Sequence, residues 1–578
     1  MNGQRQTTII NQFSMKIQGL LLSIALLVLC STILHSQEIG VSTVDSLDKS
    51  FLNWYNLDPK SDKIQGAAVD KAYASLLRNL IPQKKVVIAV IDGGVDIEHK
   101  DLQGKIWTNP REIAGNGVDD DQNGYVDDIH GWNYIGNAQG ENIGYENLEQ
   151  VRIFRKLNSK YKDIQSAETL EASDRQEYAL YQDCKKHYED KLKEYSDMSN
   201  MLTTFESNLN TAESVIKTYL QKETISREDV ERIKSAPENV KNARAYLLRL
   251  YKVGLTPKML ADMKRDIRGY LDYRLNPDYD PRQIISDNPE DLNDTIYGNN
   301  NVKGPTSEHG TFVAGIIAAI RNNNLGINGI AENVEIMVLR VVPDGDERDK
   351  DVALAIRYAV NNGANVVNMS FGKDYSPQKS FVDDAIRYAA ENNVLMVHAA
   401  GNESENMDEL ERYPTSNLSE GTRAQNWIAV GATSNKLGKG FCAEFSNYGQ
   451  KHVDLFAPGV DIISLFPENT YEMKDGTSFS CPVVAGVAAL VWSYYPDLTA
   501  VELKGILMNS AVRYPKVKVY SPNEDGKKAI TRFSELSRTG GIINAYEALR
   551  EAEKYTRAKG ATVDVHQPSE EKPALNTR

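Results

Sequence analysis

A carboxylate, an imidazole, a hydroxyl and a primary amide stand at four separated points of the chain, each where a regular element begins or ends. Asp92 closes the apolar run Val86-Val87-Ile88-Ala89-Val90-Ile91 and precedes Gly93-Gly94. An aspartate opening a turn is ordinarily structural, but the carboxyl end of a buried strand is also where α/β sheets place function. His309 lies in Glu308-His309-Gly310-Thr311-Phe312-Val313-Ala314-Gly315. A lone histidine is ordinarily a surface or satisfied core residue; at a helix start aimed at strand ends, it can serve as a general base near neutral pH. Ser478 lies in Asp475-Gly476-Thr477-Ser478-Phe479-Ser480-Cys481-Pro482, ahead of the apolar stretch Val483 to Tyr494. Pro482 fits a first helical turn, which needs no intrahelical N–H bonds. The free N–H groups and positive dipole end there suit a nucleophile whose attack creates an oxyanion. Asn402, ending Ala399-Ala400-Gly401-Asn402, carries an amide that can donate to that charge together with the Ser478 N–H.

The elements that must position these groups follow from the apolar pattern. Continuously apolar, β-branched runs occur at 85–91, 334–342, 365–369, 394–399 and 427–432, with helical patterns at 310–320, 351–361 and 381–391 between them. Strands apolar throughout, alternating with helices of about ten residues, predict an α/β fold with a mostly parallel central sheet covered on both faces. Residues 145–285 break this pattern and read as an all-α insertion. Apolar residues recur in steps of three and four from Tyr181 through Cys184, Tyr188, Leu192, Tyr195, Met198, Leu202, Phe205, Leu209, Ala212 and Ile216 to Tyr219, marking one face of a long helix. Ser173 with Gln176 has the form of a capping box at its start. A shorter helix is expected over Leu148–Ile164 and another over Pro237–Tyr251.

The three motifs, in the order Asp, His, Ser, resemble the subtilisin family (subtilases) over residues 81–134 and 300–548. Three further segments resemble it as well: Asn368-Met369-Ser370-Phe371-Gly372, Phe445-Ser446-Asn447-Tyr448-Gly449 and Phe456-Ala457-Pro458-Gly459. The resemblance implies a subtilisin-like three-layer fold and a serine endopeptidase acting on peptide or protein substrates. In it Ser478 would attack the scissile carbonyl, His309 would move the proton, Asp92 would hold the imidazole, and Asn402 would serve the oxyanion hole. Ser370-Phe371-Gly372 and Ala400-Gly401 would form opposite walls of the primary specificity pocket. The chain departs from the family pattern at Phe312, where a second histidine is usual, and at Phe479-Ser480, where Met-Ala is usual. A subtilase that binds without cutting would lack a catalytic group, and all four are present. An esterase on the same triad more often shows a G-x-S-x-G elbow, which Ser478 lacks.

Two calcium sites are expected, both structural; catalysis needs no cofactor. Asp119, Asp121, Asn123, Gly124 and Asp127 have the D-x-D-x-N-G spacing that wraps a chain around Ca²⁺, with the Tyr125 carbonyl as a further ligand. His130 stands where a full EF-hand has its glutamate. The second site rests on resemblance: Asn323, Leu325 and Ile327 look like the family's calcium loop, and Asp101 holds its carboxylate position. No Cys/His cluster has zinc spacing.

Bulk properties frame the rest. The 578-residue chain exceeds one ordinary domain, and 41% hydrophobic content supplies a large core. A net charge of −14 argues against nucleic acid, which demands concentrated Lys and Arg. Lys16 before the apolar run Leu20–Leu34 reads as an export signal over residues 1–36, cleaved after Ser36, rather than a membrane span. Met15 is an alternative start, and a lipoprotein anchor at Cys30 is disfavoured by the bulk of Leu29. The product is expected to be secreted or periplasmic. Residues 37–80 form a lead-in with a helix over Val69–Leu80 and are short for a folding pro-domain. The catalytic domain then occupies 81–144 and 286–550, and 551–578 is a polar tail. Cys184, Cys442 and Cys481 read as buried thiols.

Overall fold

The computed structural model describes residues 50–523 and 528–560. The expected signal segment, Cys30 and most of the polar tail lie outside them. The chain divides into two compact units, a body that includes residues up to Gly144 and from Pro281 onward, and a helical unit of Tyr145–Asp280.

Among the described residues of the body, nine strands form one sheet in the order β10-β13-β7-β6-β5-β4-β1-β3-β2. They are β1 (Val86–Asp92), β2 (Gly131–Asn133), β3 (Val334–Arg340), β4 (Val366–Met369), β5 (Leu395–Ala399), β6 (Trp427–Thr433), β7 (Leu455–Pro458), β10 (Val512–Arg513) and β13 (Gly541–Ile542). Every pairing is parallel except β10 with β13, at one edge. Hairpins β8 (Ile462–Phe466) with β9 (Thr470–Lys474) and β11 (Lys518–Tyr520) with β12 (Ile530–Arg532) stand apart from it.

The period-two pleat of the central strands explains the three layers. Val86, Ile88 and Val90 of β1, with Ile336 and Val338 of β3, enter one core, shared with helices Glu308–Ala318, Thr477–Tyr494, Ala500–Ser510 and Ala545–Ala558. Ala89 and Ile91, with Met337 and Leu339, enter the other, beneath helices Asp349–Asn361 and Lys379–Glu391. The five expected strands and three expected helices are thus present, every end within two residues of its predicted position. Thr477–Tyr494 is apolar enough to cross a membrane, yet 89% of it is buried inside the protein, where it serves as the central core helix.

The lead-in departs from expectation. Its helix stops at Ala74, after which the Ser75 hydroxyl donates to the Lys71 carbonyl (2.5 Å) and the backbone turns away. Read from the sequence as a polar lead-in, it places Trp54 and Tyr55 fully inside the core. The Trp54 indole donates to the Asp461 carbonyl (2.9 Å), and the Ala545 N–H donates to the Ala67 carbonyl (2.7 Å).

The helical unit contains the 46-residue helix Arg175–Leu220, about 70 Å long at 1.5 Å per residue. Its apolar stripe is covered by the unit's own helices. Phe154, from helix Glu149–Tyr161, stacks on Tyr188 (4.8 Å), and Tyr195 stacks on Tyr270 (3.6 Å). Ala212 and Ile216 pack with Val230, Val240 and Leu247. The expected capping box is not formed. Asp174 holds the cap position in helical geometry with no side-chain cap, its carboxylate pairing with Lys160 (3.1 Å) instead. The body resumes earlier than the predicted boundary at 285, since Arg282 is buried in ion pairs with Asp287 (3.1 Å) and Asp351.

Candidate active site

Parallel register aligns the strand ends that carry the chemistry. Ile91 of β1 lies beside Met369 of β4, and Met369 beside His398 of β5. Asp92, Ser370 and Ala400 are therefore delivered to the same edge of the sheet. Asp92 is 2% exposed and accepts the Gly93 N–H (2.7 Å). His309 Nδ1 donates to its carboxylate, 2.9 Å from each oxygen. Gly310 makes this approach possible, because a Cβ there would stand 2.1 Å from the Gly94 carbonyl oxygen. The His309 side chain is 40% exposed, and its Nε2 has no hydrogen-bond partner among the described residues. Phe479 lies against the imidazole (5.7 Å) and against Phe312 (4.3 Å). The two positions that depart from the family pattern thus pack together beneath the catalytic ring.

Ser478 opens the central core helix after Gly476, and apart from Tyr494 it is the one residue of that helix not buried. Its hydroxyl donates to the Ser370 carbonyl (3.0 Å) rather than to His309, while the Ser370 hydroxyl donates to the Ser478 carbonyl (2.8 Å). Exchange to another staggered χ1 well is a picosecond-to-nanosecond event, and catalytic hydrogen bonds commonly tighten only with substrate present. Asn402 is fixed through its oxygen, which accepts the Thr477 N–H (2.8 Å) and hydroxyl (3.0 Å). Because the N–H can only donate, the amide orientation follows, and both Nδ2 hydrogens remain unspent. Ser478, as the second helical residue, also has an N–H with no intrahelical acceptor.

The remaining expected site residues fall around this group. Ser370 is buried, Phe371 is half-buried and Gly372 follows them beyond β4. Beyond β5, the Ala400 and Gly401 carbonyls accept from Asn447 Nδ2 (3.0 Å) and Asn447 N–H (3.0 Å). Gly401 adopts φ +106°, and a Cβ there would meet Asn447 Nδ2 at 2.3 Å, so only glycine fits.

Sequence reasoning missed several supports. Thr477, which orients Asn402, lay unread inside the nucleophile motif. Arg340 is fully buried and donates to the carbonyls of Gly93 (2.9 Å) and Ile143 (2.7 Å) and to Asn133 Oδ1 (3.0 Å), bracing the turn after Asp92. Burial pushes its guanidinium down to about 9. His398 is 6% exposed, and burial pushes it down to about 4. Cys184, Cys442 and Cys481 are buried, and burial pushes the Cys481 thiol up to about 12.

The calcium candidates fit unequally. At the second, Asp101 is fully buried and accepts from Asn323 Nδ2 (2.5 Å) and the Tyr471 hydroxyl (3.2 Å). The Ile327 backbone bonds to the same carboxylate, and burial raises its pKa, so a buried carboxylate with no paired Lys or Arg sits among the expected ligands. At the first, Asp119 and Asp121 lie with Glu112, which the spacing did not single out, their oxygens within 4.8 Å of one another. Asp127 is spent on the N–H groups of Gly115 (2.8 Å), Asn116 (3.2 Å) and Gly117 (2.8 Å), and Asn123 Oδ1 on the Tyr125 N–H (2.7 Å). In this arrangement those oxygens also accept loop amides, as Asn323 Oδ1 does from the Leu325 N–H (3.0 Å) at the second site.

Known proteins place this geometry. Residues 83–540 match the Subtilase family. Subtilisin BL of Lederbergia lenta is 36% identical over 225 residues, 39% of this chain and 77% of that protein. The cell wall-associated protease of Bacillus subtilis (strain 168) is 36% identical over 222 residues, 38% of this chain but 23% of that protein. A solved protease structure from Pseudoalteromonas arctica is 29% identical with a TM-score of 0.34, covering 42% of this chain and 70% of its own. With 83–540 matched, and aspartate, histidine and serine in subtilase order, the chain belongs to the subtilase family and is a subtilisin-like serine protease.

Proposed function

We propose that the protein is an exported serine endopeptidase in which Ser478 is the nucleophile, His309 the general base and Asp92 the group that orients and stabilises the imidazole. One observation carries this reading: His309 Nδ1 is bound to the buried Asp92 carboxylate at 2.9 Å while Nε2 is left open. An imidazole held by Nδ1–H presents a basic Nε2, the tautomer the chemistry needs. On substrate binding the Ser478 hydroxyl leaves the Ser370 carbonyl and turns to Nε2. Oγ attacks the scissile carbonyl carbon as its proton passes to His309, and Asp92 stabilises the resulting imidazolium. Asn402 Nδ2 and the Ser478 N–H donate to the carbonyl oxygen as it becomes an oxyanion. The imidazolium then protonates the leaving amine, and a water activated by the regenerated base hydrolyses the acyl-enzyme.

The substrate chain lies between Ser370-Phe371-Gly372 and Ala400-Gly401. Calcium at Asp101, Asn323, Leu325 and Ile327 has a structural role, supported by the buried charge of Asp101. Export rests on the Leu20–Leu34 run and accords with the extracellular setting that the name of the cell wall-associated relative indicates. Peptide cleavage by purified Ser478→Ala, His309→Ala and the double variant tests the catalytic assignment. Each single variant should abolish turnover, and the double should be little worse, because the residues act as a unit. Turnover surviving in Ser478→Ala would refute it.

A further inference from the structure

The charges behind the two pocket walls point to a substrate class, an inference that rests on the endopeptidase reading above. Arg412 links the walls. Its Nη1 pairs with Asp374 (2.9 Å), two residues beyond Gly372, and its Nε meets Glu403 (3.1 Å) and Glu405 (2.8 Å), just beyond Asn402. Reciprocal backbone hydrogen bonds between Lys373 and Tyr413 (3.0 and 2.9 Å) hold the Arg412 segment beside the first wall. Asn447 Nδ2 holds the second, bonding both Glu403 Oε2 (2.7 Å) and the Ala400 carbonyl. Three carboxylates thus share one guanidinium, leaving two negative charges in surplus. The neighbouring Lys373 ammonium is committed to Asp349 (2.8 Å) and the Glu347 carbonyl (2.9 Å).

Glu403 lies against the open wall itself: its Oε2 stands 2.6 Å from where a Cβ on Gly401 would be. The surfaces leading to it, Phe371, Gly372, Ala400 and Gly401, offer ring, methyl and backbone but no charge. Uncharged walls backed by carboxylates match an aliphatic stem carrying a cation. An acidic side chain would meet the surplus negative charge, since Arg412 Nη1 and Nε are already engaged by the three carboxylates. We infer that the pocket accepts a lysine or arginine side chain on the residue before the cleaved bond, with Glu403, Glu405 and Asp374 as its charge partners.

Fluorogenic peptides identical except for Arg, Lys, Leu or Glu before the scissile bond test this on the full-length enzyme. Arg and Lys should exceed Leu in kcat/KM by roughly tenfold or more, with Glu lowest. The Arg-to-Leu ratio should shrink in 1 M salt, where the Debye length is only about 3 Å, because the carboxylates are partly exposed. Glu403→Gln and, separately, Asp374→Asn should each lower that ratio several-fold; two variants guard against one failing to fold. Leu cleaved as well as Arg by the unaltered enzyme, or a ratio unmoved by both variants, would overturn the inference while leaving the protease reading intact. Failure to cleave any of the four, with no fluorophosphonate labelling of Ser478, would overturn both.

Discussion

His398 should make the body acid-labile. Its ring is enclosed by Phe371 (6.4 Å, edge-on) and Trp427 (5.1 Å) beside a cavity of about 40 Å³, and its Nε2 has no partner. Nothing there compensates a second proton, so burial pushes the group down from 6.5 to about 4. The unfolded chain therefore takes up a proton that the folded chain refuses. The stability this group preserves is fully present above pH 6.5 and is lost as pH falls towards 4. Linkage between those two values gives a loss of about 2 kcal/mol at pH 5 and about 3 kcal/mol at pH 4. His398→Asn removes the titration while keeping a polar group of similar reach. Urea unfolding at pH 7 and pH 5, in a Ser478→Ala background that cannot digest itself, isolates the effect as a difference of differences. The parent should lose about 2 kcal/mol more than His398→Asn over that interval. Equal losses would show that the imidazole is either charged in the fold or not enclosed, and would refute the reasoning.

Three other outcomes are expected. Asn402→Ala should fold normally and lose roughly 10²–10³ in kcat with KM nearly unchanged, a magnitude taken from subtilisin itself rather than worked from this structure; a loss confined to KM would exclude an oxyanion role. Chelation should lower the melting temperature, since a ligand of the native state stabilises it by mass action. Added calcium should raise it again, and Asp101→Asn should erase that response, because the buried carboxylate is the charged ligand of the proposed site. Replacing residues 145–280 with a Gly/Ser linker should leave small-peptide cleavage intact, because every catalytic group belongs to the body and the helical stripe has its own partners; lost peptide cleavage in a folded variant would show that the insertion supports the site.

The central strands were legible because burial on both faces forces continuous apolar runs, and the long helix because Tyr181 to Ile216 repeats at helical spacing over about ten turns. Edge pieces such as β2, β10 and β13, at two or three residues, are too short to show any period. Trp54 and Tyr55 looked like part of a polar lead-in because what covers them, Asp461 and Asn328 among others, is hundreds of positions away. The Asp, His, Ser and Asn groups were legible because each sits in a local motif at an element end. The residues that hold them were not: Arg340 reads as an ordinary strand end, and Arg412 acquires meaning only through Asp374 and Glu403. In the loop at 119–127 the spacing showed Asp119 and Asp121 but not Glu112, which only the fold brings beside them.

Mapping the adduct of a fluorophosphonate by mass spectrometry tests the central claim most directly, because the reagent needs a serine activated by its own histidine and an oxyanion hole to receive the phosphonyl oxygen. The account predicts a single adduct on Ser478 in the native protein, lost on denaturation and in His309→Ala. An unlabelled native protein, or an adduct on another serine that persists in His309→Ala, would contradict it.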